Sequence, residues 1–424
     1  MNNEGIINMT STSTDPTASW KKNITLFLSS QTISLFGSSL VQYAIMWYIT
    51  LSTQSGIMMT IYILCGFIPT FLLSPFAGVW ADRYNRKLLM IISDSMIAIA
   101  TLILAIVFMM GYDAMWLLFL VAAIRALGTG IQTPAVGAVL PQIVPEEHLV
   151  KINGINGSIQ AIIMFVSPMV SAALISTTSM EVILFIDVVT AAVAVGILLF
   201  FLRIPTHNKA KQTQNTGYFT DFKAGLIYIK NHSFLKVLMT MFAVFFVLMA
   251  PASFLTPLQV TRSFGDDEWR LAAIEVAFSI GMMIGGGLIA AWGGFKNKIY
   301  TMAFSGLIMG LCTVALGIVP TFWIYLVFFG IFGIAMPIFN TPTMTLIQEK
   351  VDGDYLGRVF GVFGMISTSM MPIGMLIFGP IADIVDIEWL LIGTGIAMTV
   401  LLIVLVKSKA LLEAGKPKDH VSVE

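Results

Sequence analysis

The sequence is short of charge, cysteine and histidine. Only 11% of its 424 residues are charged while 57% are hydrophobic, and the mean hydropathy is +0.89, which excludes an ordinary water-soluble domain. The 23 basic and 23 acidic residues cancel, so no global charge points to nucleic acid. Cys65 and Cys312 both sit inside apolar runs, where neither a disulfide framework nor a zinc site is expected. The histidines, His148, His207, His232 and His420, fall in expected loops or the tail without metal-ligand spacing, and no phosphate-cradling Gly-rich Lys-Ser/Thr loop is present. These absences leave no enzyme constellation, metal, cofactor or ATP site to expect. The polar, Ser/Thr-rich first residues lack the basic start and apolar middle of a signal peptide and read as a cytoplasmic disordered tail.

What remains is apolar run after apolar run. A span needs about 20 apolar residues, and the text supplies twelve: about 24–50, 57–80, 88–110, 115–140, 154–177 and 182–202, then 233–260, 271–292, 299–319, 321–346, 358–382 and 388–406. The expected architecture is therefore an all-α polytopic membrane protein. Its parts are a tail (1–20), a first six-helix bundle (21–202), a linker (203–232), a second bundle (233–406) and a closing tail (407–424). With the N-terminus cytoplasmic, only Arg262 and Arg270 of the 23 bases fall outside and only Arg125 within a span, so positive-inside statistics put both termini in the cytoplasm. In the linker Phe219, Phe222, Leu226 and Ile229 recur at helical spacing, as in an amphipathic helix on the inner surface. The halves repeat: Gln132-Thr133-Pro134-Ala135 returns as Asn340-Thr341-Pro342-Thr343, and Leu149, Lys151, Gly154 and Gly157 return as Leu356, Arg358, Gly361 and Gly364.

One charged turn stands out, Gly78-Val79-Trp80-Ala81-Asp82-Arg83-Tyr84-Asn85-Arg86-Lys87. A topological stop needs only cations; an acid, three bases, a Gly one helical turn before the acid, and Asn85 where a tight turn calls for positive φ suggest a conformational latch. Asp94, two turns into the next span, is placed to support it through Arg83 or Arg86. The second copy, Gly287 to Lys298, has Ala291 where Asp82 would stand.

Ionisable groups inside spans are costly and mark functional sites by default. They are Asp94, Arg125, Asp187, Glu275 and Asp383, the last expected at the interface. Arg125 cannot shed its charge and needs a partner or a wet cavity. Asp187 and Glu275 can exchange protons beside such a cation, or reach external water instead. A flexible Met, aromatic and amide surface suits bulky apolar ligands.

The charged turn resembles the loop between helices 2 and 3 of the major facilitator superfamily, with Asn85 and Trp80 in place of the usual Gly and Leu. Ile124-Arg125-Ala126-Leu127-Gly128-Thr129 resembles the fourth-helix Arg pattern of its drug:proton antiporters. The fifth span is similar to their antiporter motif only at Gly154 and Pro168, expected helix-packing positions. Val144-Pro145-Glu146-Glu147, Ile186-Asp187-Val188 and Gln348-Glu349-Lys350 with Tyr355 to Phe360 extend a resemblance to the group's macrolide efflux proteins over residues 20 to 408. The resemblance implies a multi-pass protein of the bacterial plasma membrane, expected as a monomer among membrane lipids. It would export lipophilic, macrolide-like antibiotics in exchange for protons by alternating access; the alternative is export of a siderophore, peptide antibiotic or lysolipid. It implies a latch of Gly78, Asp82, Arg83, Arg86, Lys87 and Asp94, and coupling through Asp187, Glu275 and Arg125. A cavity between the first, fourth, seventh and tenth spans would be lined by Gln31, Gln42, Tyr43, Trp47, Gln132, Met239, Phe242, Phe246 and Asn340.

Overall fold

The computed structural model describes residues 16–202 and 218–416, without the side chains of a few of them, Gly78, Asp82 and Arg83 included. The terminal tails' outer residues, His207, His420 and the Lys209 to Gln212 run lie outside this set. Every described element is helical. The first half comprises α1 (Pro16–Thr53), α2 (Gly56–Arg83), α3 (Arg86–Met109), α4 (Met115–Ile143), α5 (Glu146–Thr177) and α6 (Met180–Gly196). A π turn, Ile197–Phe201, ends α6. After α7 (Tyr218–Asn231), the second half comprises α8 (Ser233–Ala250), α9 (Thr256–Phe264), α10 (Glu268–Trp292), α11 (Lys298–Leu316), α12 (Phe322–Lys350), α13 (Gly353–Ile381), α14 (Ile387–Lys407) and the short α15 (Lys409–Ala414). α8, a π turn at Pro251–Leu255 and α9 form one span, because Pro251 lacks the N–H that a regular helix would use there. Among the described residues, twelve helices are long and apolar enough to cross a membrane.

The halves use one packing scheme twice. α2 packs on α4 as α10 packs on α12; α3 packs on α4 and α6 as α11 packs on α12 and α14; α1 packs on α5 as α8 packs on α13. The repeat read from the sequence thus extends to the pairing of helices. In lipid, small residues let backbones meet closely, and glycines do this here: a Cβ at Gly281 or Gly285 of α10 would stand 2.1 Å from the carbonyl oxygen of Gly330 or Ile334 in α12. Gly154 does not, since a Cβ there meets nothing within 4 Å. The packing role expected of it is not realised in this conformation. Pro168 is buried inside α5.

Most of the described bases gather on one face, with α7, the α2–α3 turn and the described chain ends; the opposite face carries Asp113, Glu181, Asp266, Asp267, Glu268, Asp386 and Glu388 with Arg262 and Arg270. The halves meet through α2 with α13, α5 with α10 and α1 with α9. Trp47, Met59 and Ala172, first-half residues buried in the second half's core, all lie near the opposite face. The molecule is closed there. α7 docks on α13, with Gly225, Tyr228 and Ile229 inward; of the apolar stripe its spacing suggested, Ile229 is turned inward and Leu226 is exposed. The ring of Tyr228 stacks on Tyr355 at 4.4 Å and on His232 at 4.0 Å. His148 lies in the first turn of α5, stacked on Trp20, and not in a loop.

Candidate functional site

The apolar core of the first half is split in two. One cluster, around Leu40, Ala44, Leu104, Leu118 and Ile183, lies toward the opposite face, and the other, around Phe27, Met90, Val139 and Leu198, toward the basic face. The stretch of each helix between them carries polar residues: Ser34 and Ser38 on α1, Asp94 and Thr101 on α3, Arg125 and Gln132 on α4, Asp187 on α6. Asp94 to Thr101 and Arg125 to Gln132 each span seven residues, two turns, on antiparallel helices, so the layer divides into two linked sites.

At the first, Arg125 is 8% exposed and Asp187 fully buried. Arg125 Nη1 donates to Asp187 Oδ2 and, at 2.6 Å, to Thr101 Oγ1; Nη2 donates to the Ser38 carbonyl at 3.0 Å. Ser38 Oγ donates to Asp187 Oδ1 at 3.2 Å. Thr101 Oγ1 also lies 3.1 Å from Asp187 Oδ2 and 2.9 Å from the Ile97 carbonyl, and its one proton can serve only one of them. Gly37 makes this geometry possible, because a Cβ on it would meet Thr190 Oγ1 of α6 at 1.9 Å. Arg125 therefore has the partner it requires, and Asp187 does not reach external water.

At the second, Ser34 Oγ and Gln132 Nε2 donate to Asp94 Oδ1 at 2.9 and 2.7 Å. Asp94 thus joins α1, α3 and α4 instead of supporting the latch: no described bond links it to Arg86, which donates to the carbonyls of Ala81 and Ala138 at 2.8 and 2.6 Å. Lys87 donates to the terminal carbonyls of Leu199 and Leu202, groups that a helix end leaves free. Asn85 takes φ −65° in place of the expected positive value and caps α3, its Oδ1 accepting from the Leu88 N–H at 3.3 Å.

The remaining residues divide. Glu275 on α10 is half-buried, and no described group bonds to it. Gln31, Tyr43 and Asn340 are half-buried and Gln42 is exposed. Gln132 is held by Asp94, while Trp47, Met239, Phe242 and Phe246 are packed in the core. Phe242 lies against Phe339 and Phe363. A groove of about 520 Å³ runs between the basic-side ends of α1 and α5, lined by Ile24, Leu28 and Thr32 and by Ile152, Ile155 and Ile159. This groove was not among the sequence expectations, although the three- and four-residue recurrence of those isoleucines marks an apolar stripe on α5. Near the opposite face, Asp383 of the second half accepts from the N–H groups of Gly56 and Ile57, from Ser55 Oγ and from Arg262, capping α2 of the first half. Asp383 thus bridges the two bundles. Among the described residues no His, Cys, Asp and Glu cluster could hold a metal.

Residues 24–375 match the Major Facilitator Superfamily. The chain is 32% identical over 377 residues to "Macrolide efflux protein A" of Streptococcus pyogenes, covering 88% of this chain and 93% of that protein. To the "Macrolide efflux protein A" of Enterococcus faecalis it is 33% identical over 314 residues, 74% of this chain and 97% of that one. The crystal structure of nucleoside transporter NupG superposes with a TM-score of 0.68 at 17% identity, covering 92% and 99% of the two chains. With twelve spans paired in two matching halves, the chain belongs to the Major Facilitator Superfamily of membrane transporters.

Proposed function

We propose that this transporter exports lipophilic, macrolide-like molecules from a bacterial cytoplasm in exchange for protons. The basic face is the cytoplasmic one, in keeping with positive-inside statistics. In this orientation the molecule is closed to the outside, and the groove between α1 and α5 opens toward the cytoplasm, where an apolar solute would enter. The single observation that carries the coupling is the buried Arg125–Asp187 pair. A carboxylate held by a cation in a low-dielectric layer changes its proton affinity when the bundles rock and the hydrogen bonds from Ser38 and Thr101 change. Asp187 then serves as an exchanging group, Arg125 sets its affinity, and Glu275, with no bonding partner among the described residues, is the second-half counterpart. The Gly78 to Lys87 turn, Asp82 and Arg83 with it, acts as the cytoplasmic latch between states.

One charge moved across 100 mV supplies about 2.3 kcal/mol, roughly a fifty-fold concentration ratio for a neutral solute. The test is erythromycin-dependent proton movement in proteoliposomes carrying an imposed pH gradient. Wild-type protein should dissipate the gradient when the drug is added, and Asp187→Asn or Glu275→Gln should not. Absence of drug-dependent flux, with no resistance gained by a drug-sensitive host, would move the search to endogenous metabolites.

A further inference from the structure

The polar layer holds a second buried carboxylate that the Arg125–Asp187 pair does not use. Asp94 is 2% exposed, and both of its donors, Ser34 and Gln132, meet the same oxygen; Oδ2 is buried with no described partner. An ionised carboxylate is acceptor-only and seeks donors at both oxygens, whereas the protonated acid carries a hydrogen of its own on one of them. Burying the anion without a cation is far costlier than burying the acid. No described cation bonds to Asp94. On its own helix, Arg86 and Lys87 are turned to backbone carbonyls. On α4, Arg125 is engaged with Asp187, Thr101 and Ser38, and α6 offers only Asp187, a like charge. From α1 it meets a hydroxyl, and Gln31, three residues before Ser34, has a buried Nε2 that is also unpartnered.

From this geometry we infer that Asp94 is a second proton station, holding an exchangeable proton on Oδ2 in the state closed at the opposite face. The inference rests on the antiport reading above. Ser34 and Ser38 lie one turn apart on α1 and bond to Asp94 and Asp187 respectively, so the two carboxyls share one seam; Thr101, which meets Asp187, stands about 10 Å from Asp94 along α3 at 1.5 Å per residue. On release the Oδ2–H bond breaks, the proton leaves to water on the basic side, and the carboxylate left behind keeps its bonds from Ser34 and Gln132.

Infrared difference spectra of full-length protein in proteoliposomes, recorded across a pH titration, test this directly. A deuterium-sensitive C=O band of a protonated buried carboxyl should be present in wild type, absent in Asp94→Asn, kept in Asp187→Asn and restored in Asp94→Glu. Accumulation of labelled erythromycin under a fixed pH gradient should fall toward unity in Asp94→Asn and recover in part in Asp94→Glu. A band that survives in Asp94→Asn, or wild-type accumulation by that variant, overturns the inference. Should Asp94→Asn fail to fold, Ser34→Ala decides: loss of a donor to the anion should keep the band to higher pH, and an unchanged titration overturns the inference. If wild type accumulates no erythromycin, the antiport reading fails, while the band still decides the proton on Asp94.

Discussion

A guanidinium keeps its charge at any depth in a membrane, so at the residue scale the fate of Arg125 depends on Asp187. Removing only the cation leaves a fully buried carboxylate uncompensated, and breaking such a pair costs about 3–5 kcal/mol. Arg125→Gln should therefore lower the thermal midpoint in detergent sharply, while Arg125→Gln with Asp187→Asn should regain most of the loss. Equal midpoints for single and double variants would mean that the pair is not coupled. Both residues were legible in the sequence, because a charge in an apolar run is expensive wherever it points. Their pairing was not, since Asp187 arrives from another helix, 62 positions on, and hydropathy says nothing of helix rotation. Gln132 was legible as an amide in an apolar run, but its bond to Asp94 was not, since Asp94 stands on another helix.

Helices in this fold approach one another through glycine, and the consequences differ between neighbours on one helix. Gly285 faces the backbone of α12, whereas Gly287 and Gly154 face open space. Gly285→Val should separate α10 from α12 and cut the yield and midpoint of folded protein. Gly154→Ala should leave the midpoint unchanged or raise it, since Ala gains about 1 kcal/mol of helix propensity over Gly in a helix interior. Detergent melting curves of the two variants decide it; equal losses would mean that the side facing α12 has no special role. Span number and the duplication were readable because an apolar run of about twenty residues fits little besides a membrane-spanning helix. The π turn at Pro251, the α3 cap formed by Asn85 and the docking of α7 on α13 were not, because each is set by hydrogen bonds or contacts that a period does not encode.

At the scale of the whole molecule, the state described is held by contacts between halves near the opposite face. Gly56 and Gly379 bring α2 and α13 together, and Asp383 ties the start of α2 to Arg262 across the same seam. Burial acts to raise the affinity of Asp383 for a proton, but the bonds from Ile57, Gly56, Ser55 and Arg262 outweigh it and hold its carboxyl below the ordinary value of 3.8. The sign follows. A group whose pKa is depressed in the closed state stabilises closure fully above its open-state pKa and loses that effect as pH falls through the closed-state value. Closure should thus be insensitive to pH near neutrality and weaken as pH drops below about 3.8, the range in which the carboxyl takes up its proton. Asp383→Asn should produce the opened population already at pH 7. Spin labels at Ile57 and Ile384, both exposed, read this as a shift to longer inter-label distance. If Asp383→Asn leaves the distance distribution unchanged, the close approach of Gly56 and Gly379 suffices for closure, and Gly379→Val becomes the substitution that opens the seam, because its Cβ would meet Thr60 Oγ1 at 1.7 Å.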